Sequence, residues 1–260
     1  MKLRVIAFVD HEIGYRILEK IISAQAAYGL ELVAVVTTHD NGIMWWPGVS
    51  GLCQKNNIPL HRYEESVTNT LNYIDVDWYF LISWKYIVPP ELINHSKHGA
   101  INLHYSLLPE YRGLYPVNWA IMEGKKKTGI TYHLVNEKID GGEVVCQKGI
   151  FISLSDTARS LQLRLDDLAY ELFDELVSWM VRGTLHSVTS VKKSQQESSY
   201  KSQYDFIETN ELDLNREYRG IDIFNLLRGK TFSPHSKNLY IIDPDNGKRI
   251  YIDVSLVADE

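Results

Sequence analysis

Short apolar runs separated by amphipathic stretches fill the first half of the chain. That alternation restricts it to βαβ units around a largely parallel sheet. Leu3 to Val9 reads as a buried strand, and Gly14 to Tyr28 as a helix with Ile17, Ile21, Ile22 and Ala24 on one face. Glu31 to Thr38 gives a second strand, Ile58-Pro59-Leu60 a short third, and Trp78-Tyr79-Phe80-Leu81-Ile82 a fourth that is too apolar to have one wet face. Ala100-Ile101-Asn102-Leu103 forms a fifth run and leads into a loop of turn residues. Thr128 to Val135 and Glu143 to Ser153 are expected to pair around a polar loop.

Beyond this point the pattern changes to a long helix, which Asp156 is placed to cap. Its stripe of Leu161, Leu165, Leu168, Leu172, Leu176 and Met180 faces a core, and Gly183 is a plausible stop. Residues 192–203 are polar and aperiodic. Asp243-Pro244-Asp245-Asn246-Gly247, between Tyr240-Ile241-Ile242 and a run from Arg249 to Val254, signals a hairpin. The expected fold is therefore α/β: a Rossmann-like, mostly parallel sheet with helices on both faces over residues 1–185, a linker over 186–203, and a small C-terminal unit with a β-hairpin over 204–260. An exposed hairpin edge is a candidate for pairing between copies, so the expected assembly is a homodimer.

Composition narrows the function. With 260 residues the chain is long enough for one or two domains and a buried core. Its 27 Lys and Arg against 33 Asp and Glu leave a net charge of −6, which argues against nucleic acid or an anionic membrane as the main partner. Cys53 and Cys146 are far apart and in no metal-ligand spacing, as suits a reducing compartment. The first apolar run is interrupted by Asp10, His11 and Glu12, so it is neither a signal peptide nor a membrane span. A soluble cytoplasmic protein is expected.

The turn after the first strand is where an α/β sheet often takes phosphate. Here it is Asp10-His11-Glu12-Ile13-Gly14, with a single glycine, so the dinucleotide fingerprint fails. No G-x-x-x-x-G-K-[ST] occurs either. Two acids in that turn also disfavour a diphosphate. Asn102 and His104 are more informative. Two apart at the end of a strand, they point to the same side of the sheet near its carboxyl edge. An amide donor beside an imidazole suits acyl transfer, the one facing developing negative charge and the other handling a proton. Ser106 lacks the nucleophile-elbow context. Asp140, before Gly141 and Gly142, reads on its own as a hairpin-turn residue, the alternative being a loop shaped around a ligand.

Asn102, His104, Ser106-Leu107-Leu108-Pro109, Arg112-Gly113 and Asp140-Gly141-Gly142 together resemble the formyltetrahydrofolate-dependent formyltransferase family, with 38 residues between Asn102 and Asp140. The resemblance implies a catalytic trio: Asn102 on the formyl oxygen, His104 as a second stabiliser or proton acceptor, and Asp140 orienting His104. It implies N10-formyltetrahydrofolate as cosubstrate, held by Ser83, Trp84, Tyr86, Ile87 and Val88 after the fourth strand and by Val135, Ile139 and Asp140 from the later loop. It requires no metal. On the substrate side it suggests Lys85, Tyr105, Arg112, Gly113 and Tyr218. Lys85 reads equally as a phosphate contact or a solvated lysine, and Tyr218 or Trp46 as a base-stacking ring or a structural aromatic.

Three branches of the family differ in the amine: glycinamide ribonucleotide transformylases, which usually lack a C-terminal unit like residues 204–260, methionyl-tRNA formyltransferases and sugar N-formyltransferases. Residues 204–260 carry 7 Lys and Arg against 11 Asp and Glu, a net −4 that suits tRNA poorly. An added C-terminal unit with strand pairing is more like the sugar N-formyltransferases, which act on nucleotide-linked dideoxy amino sugars and imply a place in surface polysaccharide (lipopolysaccharide O-antigen) synthesis. The alternatives are a methionyl-tRNA formyltransferase-like enzyme, a formyltetrahydrofolate hydrolase, or a non-catalytic nucleotide-binding scaffold.

Overall fold

The computed structural model describes residues 2–38, 48–64, 67–185, 199–232 and 238–257. Trp46 and most of the expected linker lie outside them. The strands β1 (Leu3–Val9), β2 (Leu30–Thr37), β3 (Leu60–Arg62), β4 (Trp78–Ile82) and β5 (Ala100–His104) pair in parallel. After the short β6 (Arg112–Gly113), β7 (Lys127–Leu134) and β8 (Val144–Phe151) complete a seven-stranded, mostly parallel sheet in the order β3-β2-β1-β4-β5-β7-β8, flanked by helices. The continuous apolar runs have the cause expected of them: Val5 to Val9 and every residue of β4 are buried. β3 starts two residues later than the sequence suggests. Pro59 has no N–H, and it takes part in the sheet only through its carbonyl, which accepts from the Val35 N–H at 2.9 Å.

α1 (His11–Tyr28) begins three residues earlier than its apolar periodicity indicates, with Asp10 at the N-cap position. The Asp10 carboxylate does not cap it. It is buried and accepts from Thr37 Oγ1 at 3.2 Å, the Thr38 N–H at 3.1 Å and Thr38 Oγ1 at 2.9 Å. α1 ends at Gly29, whose φ of +65° is the left-handed conformation glycine adopts freely. The helices α2 (Val49–Lys55), α3 (Val67–Leu71) and α4 (Pro90–His95) connect the parallel strands. Further on come α5 (Pro116–Met122) and the long α6 (Ala158–Val181).

Thr157, not Asp156, caps α6. The Ser160 N–H donates to Thr157 Oγ1 and the Thr157 N–H donates to Ser160 Oγ, a reciprocal cap. Asp156 is taken by other donors, Arg164 at 2.6 Å and the Ser153 N–H at 2.7 Å. Gly183 does end the helix. Its N–H donates to the Met180 carbonyl and that of Thr184 to Trp179, the pattern of a left-handed C-terminal cap. Among the described residues no helix is long and apolar enough to cross a membrane.

The chain divides into two compact units. One comprises residues 1–104, 132–146 and 169–192, the other residues 105–131, 147–168 and 193–260. In the second unit β9 (Tyr200–Lys201) pairs in parallel with β6, and Ser202 and Asp205 form a capping box on α7 (Gln203–Glu208). α8 (Gly220–Lys230) lies close to α5: a Cβ at Gly229 would come within 2.6 Å of Met122, and Asn118 Nδ2 donates to the Gly229 carbonyl. Arg228 is buried, donating to Asn225 Oδ1 and to the carbonyls of Ser153 and Asp156. The unit ends in a hairpin of β10 (Tyr240–Ile242) and β11 (Arg249–Tyr251). Its turn is organised by Asp243, whose oxygens accept from Asp245, Asn246 and Gly247.

Lys230 ends α8 with its ammonium group buried over the Phe206 ring, donating to the Phe206 carbonyl and to Asn210 Oδ1 at 2.6 Å each. Both acceptors are uncharged, and burial pushes the lysine down to about 7. Two acceptors match the two N–H bonds of the neutral amine. An unfolded lysine keeps its proton up to about pH 10.4. Between these limits unfolding takes up a proton, so raising the pH favours the folded state. Thermal unfolding should therefore show a stabilising contribution that grows from about pH 7 to about pH 9 and disappears in Lys230→Met. The same slope in wild type and variant would assign it to other groups.

Candidate functional site

The strand-order reversal falls between β1 and β4, where parallel α/β sheets open a crevice at their carboxyl ends. The register aligns the strand ends there, Val9 beside Ile82 and Leu81 beside Asn102. Across the reversal His11 Nδ1 lies 2.9 Å from Ser83 Oγ, with both residues in the left-handed region, at φ +59° and +54°. Asp10 is turned toward the end of β2, where Thr37 and Thr38 hold its carboxylate.

The alternation of β5 puts Asn102 and His104 on one side of the strand, as expected, and the loop after β7 brings Asp140 to them. Asp140 Oδ2 lies 3.5 Å from His104 Nδ1, and Asp140 Oδ1 is 3.4 Å from Asn102 Nδ2. The three groups that the family resemblance singled out thus lie within 3.5 Å of one another through Asp140. A fourth joins them: His133 Nε2 lies 3.1 Å from Asn102 Nδ2 and 3.4 Å from Asp140 Oδ1, while its Nδ1 lies 2.9 Å from the Leu134 carbonyl oxygen. His104 is 6% exposed and His133 2%. In so dry a setting, charge interactions between these groups are strong. Among the described residues no group of three or more His, Cys, Asp or Glu is placed to hold a metal ion.

The loop carrying Asp140 is held at both ends. The Leu134 N–H donates to the Glu143 carbonyl at 2.8 Å, the Val135 N–H to Ala100 at 2.9 Å, and the Gly141 N–H to Lys138 at 3.0 Å. Asp140 sits at φ +45°. The backbone of Gly142 passes so close to β7 that a Cβ there would overlap the Leu134 carbonyl.

The segment after β4 is aromatic. Trp84 packs edge-on against Phe8 and Tyr63, and Tyr86 stacks on Tyr63 at 5.1 Å. Val88 is buried and Val135 packs on the same cluster, while Tyr86, Ile87 and Ile139 are exposed. The Trp84 indole N–H is buried with no hydrogen-bond partner among the described residues. Lys85 lies 5.3 Å over the exposed Tyr86 ring.

Tyr105, Arg112, Gly113 and Tyr218 belong to the other unit. The Tyr105 hydroxyl donates to the buried Asp166 at 2.5 Å, an anchoring role that the sequence reading did not give it. Arg112 and Gly113 form β6, and β9 passes so close that a Cβ on Gly113 would meet the Lys201 carbonyl, a structural reason for that glycine. The Arg112 Nε is buried without a partner among the described residues. Arg216 lies 5.4 Å over the Tyr218 ring. Ser106 is fully buried and donates to the Glu110 carbonyl, so it is no nucleophile. Burial pushes the Cys146 thiol up to about 12, which leaves it protonated and inert.

The sequence reading missed His133. Alternation along Thr131-Tyr132-His133 separates its side chain from that of Tyr132, and a lone imidazole ending an apolar strand seven residues before Asp140 was the available signal.

An amide, two imidazoles and a carboxylate thus gather at the carboxyl end of β5 in an α/β sheet. Residues 4–177 match the Formyl transferase family and residues 205–258 the N-formyltransferase dimerization C-terminal domain, and the chain belongs to the formyl transferase family. A methionyl-tRNA formyltransferase from Thermodesulfovibrio yellowstonii is 32% identical over 178 residues, covering 68% of this chain and 54% of that protein. The chain thus spans about half the length of that curated relative. A sugar N-formyltransferase structure from Shewanella superposes with a TM-score of 0.80 at 22% identity, covering 99% of both chains. An N-formyltransferase from Helicobacter canadensis, in complex with folinic acid and dTDP-3-aminofucose, gives a TM-score of 0.73 at 23% identity over 92% of this chain and 83% of that one.

Proposed function

We propose that the chain is an N-formyltransferase that moves the formyl group of N10-formyltetrahydrofolate to the amino group of a nucleotide-linked dideoxy amino sugar. The observation that carries this is the convergence of Asn102, His104 and Asp140 beside the switch point. The folate supplies an activated formyl group. The apolar wall of Trp84, Val88 and Val135 suits a flat heterocycle, and the Trp84 indole N–H, without a partner among the described residues, is a donor for its polar edge. Asn102 donates to the formyl oxygen as negative charge develops there, worth on the order of 10²–10³-fold in rate. His104 turns Nδ1 to Asp140, and Nε2 is the atom that takes the proton of the attacking amine. Asp140 holds that tautomer and stabilises the resulting imidazolium. Neither cysteine takes part.

Two observations favour the sugar as acceptor: near-full-length likeness to a sugar N-formyltransferase, and an acidic C-terminal unit ill suited to a polyanion. A cytoplasmic setting that feeds surface polysaccharide follows from that substrate class. The test is incubation with N10-formyltetrahydrofolate and a panel of nucleotide-linked amino sugars. The expected result is one tetrahydrofolate released per sugar formylated. Release without an amine would make the protein a hydrolase, formylation of methionyl-tRNA would make it a tRNA enzyme, and binding without turnover would make it a scaffold.

The same reading makes the protein a homodimer joined through residues 204–260. Ile242, Ile250 and Tyr251 of the hairpin are exposed apolar groups, and the domain matched there is one named for dimerization. Sedimentation should give a dimer that Ile250→Asp converts to a folded monomer. A wild-type monomer would overturn this part.

A further inference from the structure

Asn102 has two carboxamide hydrogens and two acceptors near its nitrogen, His133 Nε2 at 3.1 Å and Asp140 Oδ1 at 3.4 Å. The second nitrogen of the His133 ring fixes the donor and acceptor roles. Its Nδ1 lies 2.9 Å from the Leu134 carbonyl oxygen, which can only accept, so Nδ1 carries a hydrogen. A neutral His133 then presents a lone pair at Nε2 and takes an N–H from Asn102. In that state both carboxamide hydrogens are engaged, and none is left for a formyl oxygen.

The other assignment of the same atoms differs by one proton and a half-turn of the carboxamide. With Nε2 protonated, the ring donates to Asn102 Oδ1. Asp140 Oδ1, 3.4 Å from Nε2, balances the charge. The N–H2 group then faces away from His133, with both hydrogens available.

We propose that His133 is a positioning residue: its imidazolium form holds Asn102 with the N–H2 group toward the acyl oxygen, and its neutral form holds the carboxamide reversed. This rests on the reading of Asn102 as the oxyanion donor. Among the described residues, the titratable groups facing His133 are Asp140, from the loop after β7, and His104 of β5, whose ring centroid is 6.4 Å away. Cys146 of the neighbouring β8 stays neutral. The two imidazoles have opposite tasks. His104 must be uncharged to accept a proton while His133 is charged, and Asp140 turns one oxygen to each.

The first arm of the test needs no substrate. Side-chain ¹⁵N signals of the full chain are followed from about pH 5 to about pH 9. The Asn102 N–H2 signal should move in the same step in which His133 Nε2 loses its proton, with Nδ1 protonated throughout. A carboxamide that ignores that step would overturn the proposal. In the second arm kcat is measured against pH. His133→Gln keeps an N–H donor that does not titrate, so it should retain kcat within about tenfold and lose the alkaline limb. His133→Phe should lower kcat about 10²–10³-fold with the folate KM unchanged. An alkaline limb preserved in the Gln variant, or normal kcat in the Phe variant, would contradict the proposal. If the wild type formylates no amine, the functional reading fails while the ¹⁵N arm still decides the role of His133.

Discussion

Asp140→Asn should lower kcat for formyl transfer by about 10³-fold while the folate KM changes less than about threefold. The replacement is nearly isosteric, so the loss is one of charge and hydrogen-bond direction. Asp140 accepts on both oxygens, one facing His104 and the other facing Asn102 and His133. An amide offers a donor on one of these sides. It disturbs the His104 tautomer and removes the negative charge that stabilises an imidazolium once the amine gives up its proton. The variant should still fold, because Asp140 sits at φ +45° and asparagine tolerates that left-handed conformation at least as well as aspartate. Steady-state kinetics with a thermal melt in parallel separates the two effects. A stable variant of near-normal kcat would remove Asp140 from the mechanism.

Gly142→Ala is expected to cost about 3 kcal/mol or more and to abolish activity. A Cβ at this position overlaps the Leu134 carbonyl, a backbone atom that cannot swing aside like the end of a flexible side chain. The Asp140 loop must then lift from β7, breaking the closure between the Leu134 N–H and Glu143 and displacing the carboxylate from both histidines. Gly51→Ala is the control. It lies in α2 with open space around it, and alanine there should stabilise the chain by about 0.5–1 kcal/mol. Denaturant unfolding of the two variants measures the contrast. Equal stability would mean that the loop is not held against β7.

The parallel sheet was legible because residues 5–9 of β1 and all of β4 are buried and must be apolar throughout. Asn102 and His104 were legible because a strand repeats every two residues, so their shared side follows from their spacing alone. What escaped the sequence depended on which partner each side chain meets in the folded chain. α1 begins at His11 because Asp10 is held by Thr37 and Thr38 at the end of β2. Asp156 and Thr157 are both good cap formers, and Arg164 and the Ser153 N–H claim the first. Tyr105 follows His104 and invites a ligand role until Asp166, 61 residues on, accepts its hydroxyl. His133 looks like one more residue of a core strand. Only the folded sheet sets it beside Asn102, 31 residues earlier.

The most direct test is a crystal structure of the protein with a stable formylated tetrahydrofolate and a nucleotide-linked amino sugar. The account predicts the formyl oxygen at about 3 Å from the Asn102 carboxamide nitrogen, and the sugar amine within hydrogen-bonding reach of His104 Nε2. A formyl group bound elsewhere, with Asn102, His104 and Asp140 touching neither ligand, would contradict it.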